Sequence, residues 1–327
     1  MECVVHMGSV RVSHVPVLYQ AVLGGLRPRH GGKYIDGTLG AGGHADGILT
    51  LSSPDGRLLG MDCDPAALEV ARGVLARFGE RATLVRASYS RMGEVARGFA
   101  PVDGILLDLG LSSLQVDDAA RGFAFQSNGP LDMRFDPDTD LTAAEIVNEW
   151  PLDELADILY RYGEEQHSRR IARAIEAARP LHTTGELAGV ILQAAGGKRD
   201  RQRIHPATRT FQALRITVNG ELEALETVLP AAVSLLKPGG RLAVIAFHSL
   251  EDRIVKNYFR LQARGPAGDS AHPGAARFVP VLREVARKPV MTPAEERALN
   301  PRARSARLRI AERLPLAQVE DPPGGVA

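Results

Sequence analysis

Tyr34-Ile35-Asp36-Gly37-Thr38-Leu39-Gly40-Ala41-Gly42-Gly43-His44-Ala45 decides how this chain is read. Its apolar opening predicts a short strand ending at Asp36, then a glycine-rich turn, then a helix from about His44. Gly40, Gly42 and Gly43 let the backbone turn tightly and approach a ligand with no Cβ in the way. The helix start leaves free N–H groups directed at the same place. Together they form a cradle for a nucleotide-like ligand. The spacing Gly40-x-Gly42-x-x-Ala45 also fits the dinucleotide fingerprint, a short motif that a plain surface loop can match as well.

Working outward, strands are expected at 33–36, 57–62, 83–85 and 103–108. His14-Val15-Pro16-Val17-Leu18 leads into a helix that stops near Pro28. The helix after the first strand, about 44–51, places Ile48 and Leu51 inward. Asp64-Pro65 is an N-cap acid with proline at the first helical position. The helix it opens repeats Leu68, Ala71, Leu75 and Phe78 on one face. Alternating strands and helices imply an α/β fold with a parallel sheet covered on both faces. The rhythm breaks after Asp108, and the next buried strand, 241–247, comes more than a hundred residues later. No simple crossover needs that length. Thr142-x-x-Glu145 and Thr183-x-x-Glu186 read as capping boxes, and 168–179 carries Ile171, Ala174, Ile175 and Ala178 on one helical face. The expected organisation is a discontinuous core, 13–112 and 215–313, around an inserted helical domain at 113–214, with flexible termini at 1–12 and 314–327. The core resumes with a helix from Asn219 that Lys237-Pro238-Gly239-Gly240 stops. A loop at 265–276 and strand-like runs at 279–285 and 305–311 complete it.

Composition narrows the function. Lys plus Arg number 40 and Asp plus Glu 39 in 327 residues, so no global basic field exists and any nucleic-acid contact must use local patches. Cys3 and Cys63 are too few for a disulfide framework or a cysteine zinc site, which points to a reducing cytoplasm. No run of residues has the length and apolarity of a membrane span, and no metal-ligand spacing is present.

Ligands of open parallel sheets bind beyond the carboxyl ends of the strands. Four features fall there: the glycine turn, Asp62 ending the second strand, Tyr89 in Ser88-Tyr89-Ser90 after the third, and Asp108 ending the fourth. Asp62 can accept both hydroxyls of a ribose, and Tyr89 can pack on an adenine face. Each also has an ordinary reading, a helix cap for the acids and core packing for the tyrosine. These features serve NAD or S-adenosylmethionine, since both carry an adenosine. The acid inside the turn decides between them, because it repels a pyrophosphate and attracts the cationic methionine end of the methyl donor. Asp36-x-Thr38-x-Gly40-x-Gly42 resembles the acidic-x-Gly-x-Gly-x-Gly motif of class I methyltransferases, with Thr38 where glycine is usual.

Longer blocks resemble one family. They include Asp36-Gly37-Thr38-Leu39-Gly40-Ala41-Gly42-Gly43-His44, Gly104-Ile105-Leu106-Leu107-Asp108-Leu109-Gly110 and Gly129-Pro130-Leu131-Asp132-Met133-Arg134. Tyr162-Gly163-Glu164-Glu165, His205-Pro206-Ala207-Thr208-Arg209 and Phe247-His248-Ser249-Leu250-Glu251-Asp252 follow in order. These are similar to the bacterial 16S rRNA cytosine-N4 methyltransferase family, also called MraW. The resemblance implies a class I, Rossmann-like, S-adenosylmethionine-dependent sheet with an inserted helical domain. It implies methylation of the exocyclic amine of one cytosine in the decoding region, on 16S rRNA or the small ribosomal subunit, with no metal. Carried over by position, the methyl-donor contacts are Gly42, Gly43, His44, Asp62, Tyr89, Asp108 and Gln115. Tyr89 stands where the family commonly has phenylalanine, which keeps the aromatic role.

Asp108 is the expected catalytic residue, accepting an N–H of the cytosine amine; Asp132 and His248 are alternatives, although His248 reads equally as a loop histidine bonded to backbone. The sequence lacks the Pro-Pro-aromatic clamp that follows the equivalent acid in DNA amino-methyltransferases. Base stacking therefore falls to Phe123, Phe125 or Phe247. For phosphates the local patches are Lys198, Arg199, Arg201 and Arg203, and then Arg302, Arg304, Arg307 and Arg309. The last two are also readable as the outer face of a strand.

Overall fold

The computed structural model describes residues 16–196, 205–265 and 278–315. They fall into two compact units. The first comprises Leu68–Leu109 with the described residues before Cys63 and after Leu225; the second comprises Cys63–Ala67 and the described part of Gly110–Leu225.

The first unit is built on a sheet of β1 (Lys33–Asp36), β2 (Arg57–Asp62), β3 (Ala82–Arg86), β4 (Val102–Asp108), β5 (Leu236–Ala246), β6 (Leu282–Glu284), β7 (Val290–Met291) and β8 (Arg307–Arg313). Its order is β3-β2-β1-β4-β5-β8-β6, with β7 also paired to β8. β1 to β5 run parallel, and their central members are nearly continuous apolar runs because both faces are covered. The order reverses between β1 and β4, which makes the carboxyl ends of those two strands the topological switch point.

The parallel sheet expected from the strand–helix alternation describes only these five strands. β8 returns antiparallel to β5, and β6 and β7 pair antiparallel with β8. Residues 237–240 stand out of register, since Val102 pairs with Leu236 and Gly104 with Arg241. The Lys-Pro-Gly-Gly segment that ends the preceding helix therefore bulges within β5.

Helices α1 (Tyr19–Leu26), α2 (Gly43–Leu51) and α3 (Pro65–Leu75) follow the expected bounds closely. Asp64 Oδ1 accepts the Ala66 N–H at 2.9 Å, so the acid before Pro65 does cap α3. Leu68, Ala71 and Leu75 are buried, in a core with Tyr34, Ile48 and Leu106. Leu51, expected inward, is 50% exposed; it lies in the last turn of α2, and Leu49 takes the buried place.

The second unit is helical: Ser113–Asp117, Ala143–Glu149, Leu152–Arg161, Ser168–Ala177, Thr184–Ala194 and Ala207–Asn219. Ile146, Leu155, Leu159, Ile171, Ile175, Leu187 and Leu214 form its core. Thr183 and Glu186 complete a capping box, and the Thr142 hydroxyl accepts the Glu145 N–H. The helix expected from Asn219 starts instead at Glu221, because Gly220 at φ 57° closes the helix before it.

Candidate active site

The glycine turn of the first unit is stitched to the strands on either side. Gly37 N–H donates to Leu106 O of β4 and Leu39 N–H to Met61 O of β2, both at 2.9 Å. The Thr38 N–H donates to Asp36 Oδ1 at 3.2 Å, while the Thr38 hydroxyl accepts the Asp108 N–H at 2.6 Å. Thr38, the departure from the usual glycine, thus fixes the end of β4 against the end of β1. That role was not legible in the sequence, because the hydroxyl's partner lies 70 residues away. Asp62 Oδ2 accepts the Gly40 N–H at 2.8 Å, so the β2 acid also shapes the turn.

Gly42, at φ 84°, needs to be glycine for its backbone. A Cβ there would sit 3.4 Å from the side chains of Ala71 and Leu75 in a backbone conformation that L residues rarely adopt. It leads into α2 without a side-chain cap. Gly43 lets the first turn of α2 press on Pro16, whose Cγ would lie 2.6 Å from an added Cβ. Tyr89, half-buried, opens the short 3-10 turn after β3, and its Cβ lies 3.4 Å from the Cβ position of Gly37. The structure therefore brings Gly42, Gly43, His44, Asp62, Tyr89 and Asp108 onto the strand-end rim of one unit.

His44 is buried in the first turn of α2 and stacks on Tyr19 with ring centroids 5.9 Å apart. Its Nε2 lies 3.6 Å from Asp108 Oδ2, too far for a hydrogen bond. Neither ring nitrogen of His44, nor Asp108 Oδ1, nor Asp36 Oδ2 has a hydrogen-bond partner among the described residues. Buried polar atoms are normally satisfied, and these four are grouped at the switch point. Burial pushes Asp36 up to about 7, against the attraction of His44 and the Thr38 hydrogen bond; the negative fields of Asp108 and Asp62 push the same way as burial.

Gln115 belongs to the second unit and is described there. It is buried, completes a capping box with Ser112, and donates from Nε2 to Asp64 Oδ2 at 3.1 Å. Arg121 donates to the same oxygen at 2.7 Å and also to the carbonyls of Arg134 and Phe135. This Asp64–Gln115–Arg121 cluster was missed in the sequence, where Asp64 reads only as a cap.

Of the alternatives to Asp108, Asp132 is paired, while His248 is bonded through Nδ1 and its buried Nε2 has no hydrogen-bond partner among the described residues. Asp132 is gripped by the Arg134 guanidinium at 2.7 Å; burial raises its carboxyl, but the Arg134 bonds outweigh that and hold it below the usual range. His248 caps the helix Ser249–Arg264, accepting the Glu251 N–H, which is the backbone role. Among the aromatic candidates, Phe123 is core and stacks on Phe135, and Phe247 packs on the core of the first unit. Phe125 is half-buried and stacks on His205 with centroids 4.6 Å apart.

The basic run Lys198, Arg199, Arg201 and Arg203 lies outside the described residues. Of the later cluster, Arg302 and Arg304 are exposed. Arg309 is buried and makes a two-pronged pair with Asp252 at 2.6 and 3.1 Å, and Arg307 reaches the same carboxylate at 3.3 Å. Those two arginines hold β8 to the helix Ser249–Arg264 and do not form an open phosphate patch. No helix among the described residues is long and apolar enough to cross a membrane.

A model of the MraW methylase family matches residues 11–314. A protein from Thermomicrobium roseum named ribosomal RNA small subunit methyltransferase H is 51% identical over 311 residues, covering 92% of this chain and 94% of its own. One of the same name from Dehalococcoides mccartyi is 49% identical over 308 residues, covering 93% and 88%. Among solved structures, a SAM-dependent O-methyltransferase from Thermotoga maritima superposes with a TM-score of 0.40 at 10% identity, covering 95% of this chain and 68% of that one. With the family match and these identities, the chain belongs to the MraW methylase family.

Proposed function

We propose that this methyltransferase uses S-adenosylmethionine to methylate the N4 amine of a specific cytosine in the decoding region of 16S rRNA, in the cytoplasm. The observation that carries the donor half is the rim of acids at three neighbouring strand ends, Asp62, Asp36 and Asp108, with buried oxygens of Asp36 and Asp108 unmatched among the described residues. A pyrophosphate would be repelled there. A ligand with a ribose at one end and positive charge at the other is attracted. On this reading Asp62 takes ribose hydroxyls, Tyr89 covers the adenine, and Gly42, Gly43 and His44 line the methionine end. Gln115 is assigned to the donor by family resemblance. The donor supplies an electrophilic methyl group; the protein's part is alignment and proton acceptance.

A cytosine amine is a weak nucleophile, because its lone pair is drawn into the ring. Asp108, at the switch point, accepts an N–H of that amine, which turns the nitrogen lone pair toward the methyl and holds the geometry for in-line attack. The rRNA substrate is inferred from the names of the relatives, and the N4 position and decoding-region site from the family resemblance. The helical unit leaves the chain directly after β4, and we assign it the RNA; Phe125, half-buried, is its stacking candidate.

The test is tritiated methyl transfer to 16S rRNA, isolated small subunits and whole ribosomes from a strain lacking the gene, followed by nucleoside mass analysis. Label in N4-methylcytidine at a single site is the expected result. Label elsewhere, or micromolar NAD binding with no binding of S-adenosylmethionine, overturns the assignment.

A further inference from the structure

Asp36 is 1% exposed at the end of β1, and only one of its oxygens is satisfied. The charged and titratable groups facing it are His44 from α2, Asp108 from β4 and Asp62 from β2, so acids outnumber the one weak base. No lysine or arginine is among them. Other buried carboxylates among the described residues, Glu251 apart, are matched by lysine or arginine. Asp64 has Arg121, Asp103 has Arg29 and Lys237, and Asp252 has Arg309 and Arg307. A bare carboxylate at Asp36 is therefore costly unless a cation arrives from outside. Burial and the neighbouring acids favour the neutral acid in the empty protein, consistent with the rise of its pKa to about 7.

We propose that Asp36 is a charge-sensing residue that discriminates donor from product: it holds a proton in the empty site, gives it up when a sulfonium methyl donor binds, and regains it when the ligand has become a neutral thioether. The inference rests on the methyl-donor reading above. Its geometry follows from strand order. A ligand whose ribose meets Asp62 on β2 and whose methyl is delivered at Asp108 on β4 must pass over β1, which lies between them. Asp36 is the acid there.

The charges balance at each stage. On donor binding Asp36 releases one proton to solvent, and its carboxylate faces the sulfonium. In the transfer the acceptor nitrogen forms a bond to the methyl carbon, and the carbon–sulfur bond breaks with its electron pair left on sulfur. The acceptor nitrogen then gives its own proton to Asp108, which passes it to solvent. With the positive charge gone from the site, the carboxylate is again uncompensated and takes a proton back. Product is then held less tightly than donor, which favours turnover. Because the ionised form of Asp36 binds the cation, donor affinity should rise with pH up to about 7, by at most tenfold per pH unit for one coupled proton, and level off above. Affinity for the thioether should be flat or fall over the same range.

Calorimetric titrations of the full-length protein at pH 7 with S-adenosylmethionine and with S-adenosylhomocysteine, each in phosphate and in Tris, count the protons directly. Release of roughly half a proton is expected with the sulfonium ligand, since a group titrating near 7 is half protonated there, and none with the thioether. Asp36→Asn should remove the difference between the ligands. An infrared spectrum of the empty wild-type protein should show a buried acid carbonyl band that vanishes on adding donor, a readout that needs no variant to fold. Equal proton counts for the two ligands, or release that persists in the Asn variant and so belongs to His44, overturns the proposal while leaving the donor reading intact. If neither ligand binds, the donor reading falls and this inference falls with it.

Discussion

The carboxylates of the strand-end rim and those of the helical unit are treated in opposite ways. In the helical unit the buried acids are answered by arginines: Asp64 by Arg121, Glu221 by Arg215 and Glu165 by Arg209. At the rim, Asp36 and Asp108 keep buried oxygens with no partner among the described residues, beside an imidazole in the same state. A folded chain gains nothing in stability from an unmatched buried oxygen. Pairing within the helical unit therefore marks structure, and its absence at the rim marks function. Four substitutions test that contrast, in decreasing order of effect.

Asp108→Ala should cut single-turnover methyl transfer by about 10²–10⁴-fold, the range for a positioned proton acceptor. RNA affinity should change little. Near-normal turnover would remove Asp108 from the mechanism and leave its unmatched oxygen without a role.

Arg121→Ala strikes the matched side of the contrast. It strips a 2.7 Å partner from Asp64, which is 1% exposed, and leaves the carbonyls of Arg134 and Phe135 without their donor. Removing one member of a buried pair costs roughly 3–5 kcal/mol, although the Arg121 side chain keeps some solvent contact and the lower end is the better expectation. Urea unfolding should show a lower midpoint. An unchanged midpoint would mean that the network contributes little to stability.

Asp36→Asn should act in the reverse sense and stabilise the empty protein at high pH. Burial raises the native Asp36 to about 7 from an ordinary value of 3.8, so the native state binds this proton more tightly than the unfolded chain does. The wild type consequently loses stability as pH rises from about 4 to about 7 and is level above that. The Asn variant escapes this loss. Its melting temperature should exceed the wild type's at pH 8, and the gap should close toward pH 4. The ceiling is roughly 4 kcal/mol, from about three pKa units at 1.36 each. A gap that widens as pH falls would reverse the sign and show that Asp36 is ionised in the empty fold.

Legibility in the sequence divides along similar lines. β1, β2 and β4 were readable because each is an apolar run closed by an acid, and those acids are Asp36, Asp62 and Asp108 of the rim. The glycine turn was readable because Gly42 has no substitute at φ 84°. The hydroxyl of Thr38 on the Asp108 N–H and the grip of Arg121 on Asp64 were not, since neither leaves a local pattern; their partners lie 70 and 57 residues away. β7, two residues long, is too short for periodicity to register. The antiparallel return of β8 depends on pairing, which strand propensity does not encode. Arg307 and Arg309 misled as a basic cluster because their shared partner, Asp252, is distant in sequence.

Asp62 stands between the two classes of acid, and its substitution should have the smallest effect of the four. Its Oδ2 already accepts the Gly40 N–H at 2.8 Å, so it is a structural group of the turn as well as the expected ribose acceptor. Asp62→Ala should weaken donor binding at least tenfold, with about 1.5–3 kcal/mol per hydrogen bond to a charged acceptor as the ceiling. Asp62→Asn separates the two roles. It retains one carbonyl oxygen, enough to hold Gly40 and the turn, but it has lost the charge and the second acceptor that a ribose diol needs. The Asn variant should therefore keep wild-type thermal stability and still bind donor more weakly than wild type, by less than the Ala variant. Donor affinity within twofold of wild type in both would make Asp62 a staple of the glycine turn and nothing more. Equal, large losses in both, with stability intact, would show that charge and not turn geometry governs the ribose end, and would place Asp62 with Asp36 and Asp108 among the acids that the ligand completes.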